Sequence, residues 1–120
     1  MVINGTVLLF HAPIKGMAES KIKEHGVSYG LGEAGYDIRI SQRIIFLPKE
    51  GLISLDGVIK EGRFALASAM EEFDMPTNLV GIVHDKSTWA RKGLSVFNTV
   101  IEPGWKGFLT LELVYHGTED

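Results

Sequence analysis

The segment His84-Asp85-Lys86-Ser87-Thr88-Trp89-Ala90-Arg91-Lys92-Gly93-Leu94 concentrates cations and hydroxyls in one short stretch. Such a grouping suits a polyphosphate. If a short helix starts near Ser87, its unpaired backbone N–H groups point at whatever lies before it, and helix starts favour anions for that reason. Lys86 and Arg91 add charge, and Ser87 and Thr88 add hydroxyl donors. Ser87 and Arg91 are spaced to share one helix face. The ordinary alternative is a surface helix capped by Ser87 or Asp85 with a solvated Arg91. Spacing alone favours that alternative, because caps are common.

Two further groups bear on the same chemistry. Glu112 sits within Leu109-Thr110-Leu111-Glu112-Leu113-Val114. Alternation puts it on one face with Thr110 and Val114, opposite Leu111 and Leu113. A carboxylate there either faces solvent, the commoner case, or lies in a desolvated pocket. Desolvation raises the proton affinity of a carboxylate and makes it a usable general base. The turn Ile101-Glu102-Pro103-Gly104-Trp105 carries a strong Pro-Gly signal. It could simply join two strands. It also brings Glu102 and Trp105 to one hairpin mouth, where an acid can bind a sugar hydroxyl and an indole can pack on a sugar face. A turn tryptophan is more often a packing or interface residue. Gly30-Leu31-Gly32-Glu33-Ala34-Gly35 resembles a phosphate loop only superficially, since it precedes a strand rather than a helix.

These groups need a scaffold, and 120 residues suffice for one domain, residues 1–120, with a modest core. A 45% hydrophobic content places the chain with ordinary folded proteins. No apolar run is long enough to span a membrane, and the start lacks a basic signal-peptide region, so the expected compartment is the cytoplasm. A net charge of −3 argues against a nucleic-acid surface, though not against a nucleotide site needing a few placed cations. The absence of cysteine excludes disulfides, thiol nucleophiles and the H-x-E/P-C-x-x-C zinc deaminase pattern. His11, His25, His84 and His116 have no H-x-x-x-H or H-x-H spacing, so a catalytic zinc is not expected.

The elements that must position the groups read as mostly β. Residues 36–40 alternate, and 43–47 continue that strand after a break. Residues 63–70 and 79–84 are β-rich, and 108–115 form the clearest long strand. Residues 15–25, ended by Gly26, read as a helix, and 87–92, closed by Gly93, as a short one. The expected architecture is a mostly-β barrel or sandwich with small helices.

Taken together, these motifs resemble the dCTP deaminases of the trimeric dUTPase superfamily. That family carries an Arg/Lys-Ser-Ser/Thr-x-Ala-Arg segment, here Lys86 to Arg91, then an acidic residue with Pro-Gly-aromatic-x-Gly, here Glu102 to Gly107. Leu111-Glu112 matches its closing strand. Upstream, residues 26–31 and 33–40 resemble its N-terminal signature, and 64–68 with 71–76 its middle strand and turn. The matches run in order from about residue 12 to 115.

The resemblance implies a dUTPase-like distorted β-barrel, jelly-roll-like with short helices, assembled as a homotrimer with sites between subunits. It implies zinc-independent deamination of dCTP to dUTP, with Mg²⁺ riding on the phosphates. The residue matching Glu112 activates water for attack on cytosine C4. Those matching Ser87 and the Val100 carbonyl position the water and the amino group, with the residue matching Arg91 beside them. Lys86, Ser87 and Thr88 match the triphosphate cradle, Glu102 contacts the deoxyribose, and Trp105 is a further expected substrate contact. Lys86 stands where arginine is common, and Glu102 where relatives often have aspartate. Members usually continue through further strands and a tail that closes over the nucleotide, so the chain is expected to lack those parts. A dUTPase, or a bifunctional enzyme giving dUMP, is the first alternative; Glu112 with the Ala90-Arg91 pair fits deaminases better. A non-catalytic nucleotide-binding trimer is the second.

Overall fold

A computed structural model describes residues 2–47, 53–55, 58–60 and 63–119. The elements in chain order are α1 (Gly5–His11), β1 (Lys21–Glu24), β2 (Val27–Leu31), β3 (Tyr36–Asp37), β4 (Ile53–Leu55), β5 (Val58–Lys60), β6 (Phe64–Asp74), β7 (Gly81–Ile82), α2 (Ser87–Ala90), β8 (Leu94–Val96), β9 (Val100–Ile101) and β10 (Lys106–Tyr115). The strands pair as β1-β2-β3, β6-β10-β8, β4-β5 and β7-β9. The chain is therefore mostly β with short helices, as its sequence predicts. Contacts divide it into two compact units, and β6 and β10 each contribute residues to both.

The first unit comprises Met1–Arg39, Ala69–Ile82 and Val100–Leu109. Its β1-β2 hairpin corrects the helix predicted for residues 15–25. Lys21 pairs with Gly30 and Glu24 with Val27, so this stretch satisfies its backbone across a hairpin. His25 and Gly26 both take positive φ, 51° and 80°, as a tight two-residue hairpin turn requires. Gly26 is thus a hairpin residue rather than a helix stop. All four β1 residues are exposed, so no apolar stripe was available to hold a helix. Gly30, at φ +101°, lies so close to the neighbouring chain that a Cβ would sit 2.6 Å from the Ser20 carbonyl oxygen.

Ile14, Ala69, Phe73, Met75 and Ile101 are the buried apolar residues of this unit. The chain before β1 is stitched to the end of β6, with Lys15 N–H donating to the Glu72 carbonyl at 2.9 Å and Asp74 N–H to that of Pro13 at 2.8 Å. Glu71 is the buried carboxylate among them. It accepts from the Arg39 backbone N–H at 2.7 Å and from Arg39 Nε at 2.8 Å. The guanidinium also lies 3.9 Å over the Tyr29 ring. The Glu71 bond raises the Arg39 pKa above its ordinary value against a smaller opposing effect of burial. This bond also explains why β3 ends at Asp37 instead of running to residue 40: the next available backbone donor is taken by a side chain. Glu71→Ala is expected to lower unfolding stability by about 2–4 kcal/mol, because it leaves two donors without their acceptor. Urea unfolding would measure the loss, and an unchanged midpoint would show the pair to be dispensable.

The second unit comprises Ile40–Ser68, Val83–Thr99 and Thr110–Asp120. Leu47, Ala65, Ala67, Val83, Leu111 and Leu113 are buried in it. β8 lies antiparallel to β10, with Val96 opposite Leu113 and Leu94 opposite Tyr115. The strand predicted for residues 43–47 is absent. An apolar run, Ile44 to Leu47, is present, but β6 is met just before it by a different pattern. Gln42 Oε1 accepts the Ser68 N–H at 2.8 Å, and Ser41 N–H donates to the Ser68 carbonyl at 2.8 Å. A side-chain amide has taken the place of a continuing ladder partner.

Candidate functional site

Within the second unit, Lys86 is the N-cap of α2, in extended conformation and without a side-chain capping bond. The turn continues past α2: Arg91 N–H donates to the Ser87 carbonyl at 3.0 Å, and Arg91 itself is right-handed helical. Ser87 and Arg91 therefore share one turn, as their spacing predicts. Both are exposed, while Lys86 and Thr88 are half-buried. Gly93 closes the turn at φ +93°, a conformation that glycine adopts without strain. Asp85, one of the expected caps, turns its carboxylate elsewhere and accepts the Val96 N–H at 2.8 Å.

Glu112 lies in the same unit, on β10. The predicted alternation holds: Leu111 and Leu113 are buried, Thr110 is exposed, and Glu112 is half-buried. Its backbone carbonyl accepts the Phe97 N–H at 3.0 Å. Its carboxylate oxygen Oε2 is buried without a hydrogen-bond partner among the described residues. Buried carboxylate oxygens are nearly always paired, so this one is an acceptor with its hydrogen-bonding capacity unused among the described residues. Of the two readings left open by alternation, enclosure fits better than a freely solvated side chain. Phe64 and Phe97, with ring centroids 6.4 Å apart, are about half exposed in this unit at 50% and 52%.

Val100, Glu102 and Trp105 belong to the first unit. Val100 is exposed and pairs with Ile82 in the β7-β9 ladder. Glu102 is exposed, and its carbonyl accepts the Trp105 N–H at 3.1 Å across the Pro-Gly turn. Trp105 is half-buried, its ring centroid 6.4 Å from that of Phe73, and its carbonyl accepts the Met75 N–H at 2.9 Å. This is the packing role that turn tryptophans commonly have.

The sequence placed cations, hydroxyls and the carboxylate Glu112 but gave no role to Asp85. Only its position beside Lys86 hinted at one, and that hint pointed to a cap. Ser95 is a second omission: its Oγ lies 2.9 Å from His116 Nε2, across the β8-β10 pair. Among the described residues, no group of three or more histidines or carboxylates is arranged to hold a metal ion. No described helix is long and apolar enough to cross a membrane.

Comparison with known proteins bears on the same residues. A family model described as dCTP deaminase-like matches residues 13–119. The chain is 37% identical over 121 residues to a dCTP deaminase of Campylobacter jejuni, covering 88% of this chain and 65% of that protein. It is 37% identical over 122 residues to a dCTP deaminase of Chlamydia trachomatis, covering 83% and 64%. A dCTP deaminase of Acidobacterium capsulatum is 33% identical over 120 residues, covering 83% and 66%. The chain thus spans slightly less than two thirds of the first two relatives. The matched region contains Lys86 to Arg91, the Glu102 turn and Glu112, and on it the chain belongs to the dCTP deaminase-like family.

Proposed function

We propose that this chain carries the hydrolytic deamination of dCTP to dUTP and ammonia, without zinc, in the cytoplasmic metabolism of pyrimidine deoxynucleotides. One observation carries the reading: the Oε2 of Glu112, buried and without a hydrogen-bond partner among the described residues, in the unit that also holds Ser87 and Arg91. An acceptor of this kind is suited to take a proton from water as the water oxygen attacks C4. The C4–N4 bond then breaks, that proton leaving with ammonia, while the remaining hydroxyl proton ends on N3 as the C4 carbonyl forms. Ser87 and the Val100 carbonyl hold the water and the amino group, and Arg91 steadies the charge that develops beside them. Lys86, Ser87 and Thr88 bind the triphosphate, while Glu102 and Trp105 contact the deoxyribose side. Lys86 and the Ser87 and Thr88 hydroxyls are donors to phosphate oxygens, and Mg²⁺ enters as part of the Mg²⁺–dCTP substrate.

The active form is a homotrimer with sites between subunits. Exposed Phe64, Leu66 and Phe97 in the second unit support it, the Phe64 and Phe97 rings lying 6.4 Å apart as apolar surface that a partner would cover.

Product analysis tests the reaction. In Mg²⁺ with a zinc-selective chelator, the chain should release ammonia and dUTP from dCTP. Pyrophosphate with dUMP would indicate a bifunctional enzyme, and nucleotide binding without any product a non-catalytic trimer. Lys86→Arg should be tolerated, with KM for dCTP within about threefold of wild type, since arginine replaces a point charge with a bidentate donor. A sharply raised KM would show the cradle to be misplaced.

A further inference from the structure

We infer that Asp85 is a positioning residue, which fixes the Lys86–Arg91 turn against β8 and through it against Glu112. The inference rests on the deaminase reading above, and it gives Asp85 a task other than the helix cap that spacing offers and that reading leaves unused. α2 is a single turn, and helices this short do not hold themselves in water. Its placement must therefore come from its two ends. At the far end, His116 N–H donates to the Gly93 carbonyl at 2.7 Å. At the near end the tether is Asp85 Oδ1, which accepts the Val96 N–H at 2.8 Å.

β8 is the edge of the β6-β10-β8 sheet, so among the described residues its outward N–H groups have no strand to bond. The Asp85 carboxylate occupies one of them. The next residue, Phe97, just past the end of β8, donates its N–H to the Glu112 carbonyl at 3.0 Å. Two successive residues at the end of β8 therefore join the tether of the cationic turn to the backbone of the candidate base. All of these residues lie in the second unit. Had Asp85 capped α2, it would have fixed only the start of the helix; bonded to Val96, it fixes the turn relative to Glu112. The role requires an acceptor oxygen and not a negative charge, which makes asparagine a discriminating replacement.

The test compares Asp85→Ala with Asp85→Asn in the full chain, with kcat and KM for dCTP, the thermal midpoint and amide exchange at Val96 as readouts. Misplacement of reacting groups by about 1 Å costs on the order of 100-fold, so Asp85→Ala should lower kcat/KM roughly 10- to 100-fold. Asp85→Asn keeps an acceptor and should stay within about threefold of wild type. Slow Val96 exchange in the wild type and in Asp85→Asn is expected, and this measurement serves even if Asp85→Ala does not fold. Wild-type kcat/KM in Asp85→Ala, an equal loss in both variants, or free exchange at Val96 in the wild type would each overturn the positioning role. A wild-type chain that protects Val96 yet releases no ammonia would sink the deaminase reading while supporting the tether itself.

Discussion

Glu112→Gln is expected to reduce ammonia release from dCTP by roughly 100- to 10,000-fold, the usual cost of losing a general base. Nucleotide binding should stay near the wild-type value, because the change preserves shape and leaves the Lys86–Arg91 turn untouched. The structure adds a second expectation. Oε2 is buried without a hydrogen-bond partner among the described residues, and an ionised oxygen in that position is costly to fold. A neutral amide removes part of that cost, so the thermal midpoint of Glu112→Gln should hold or rise. Activity and stability would then move in opposite directions, as they do where a group is kept for chemistry rather than for packing. Near wild-type turnover would remove Glu112 from the mechanism. A large fall in midpoint would assign the carboxylate a structural role.

The strand that presents Glu112 was legible in the sequence because alternation there is strict and its apolar residues meet a buried face. The α2 turn was legible from its glycine stop and from the spacing of Ser87 and Arg91. Residues 15–25 were not: Gly26 is compatible with a helix stop or a hairpin turn, and the deciding fact is its pairing with a strand still to come. Residues 43–47 carry a β-branched and aromatic run that suits a strand, yet Gln42 and Ser41 have already bonded Ser68 in another way. Side-chain acceptors defeat sequence reading for a common reason. Glu71 ends β3 by taking the Arg39 N–H, and Asp85 leaves its helix to take the Val96 N–H. In each case a carboxylate finds a backbone donor distant in sequence, and no local spacing encodes that choice. The candidate site was read from residue types and order; its anchoring was not.

The assembly prediction has the second large effect. Arg91→Ala should be nearly inactive alone, since Arg91 is assigned to the charge that develops at the reacting centre. Glu112→Gln should also be nearly inactive alone. If the two residues reach one site from different chains, mixing the inactive proteins under exchange conditions restores function. In a randomly mixed trimer, a site is intact only when its Glu112 comes from an Arg91→Ala chain and its Arg91 from a Glu112→Gln chain. About one quarter of the sites meet both conditions at equal mixing, so in that arrangement about a quarter of wild-type activity returns; with both residues drawn from one chain, the arrangement on which the Asp85 tether bears, none does. The recovered fraction should follow the product of the two chain fractions as the ratio is varied. Sedimentation should show a species near three times the 13.2 kDa chain mass before and after mixing. A trimer that exchanges subunits yet regains nothing would place both residues on one chain. A monomer stable to concentration would contradict the shared site and would leave the exposed Phe64 and Phe97 surface in need of another partner.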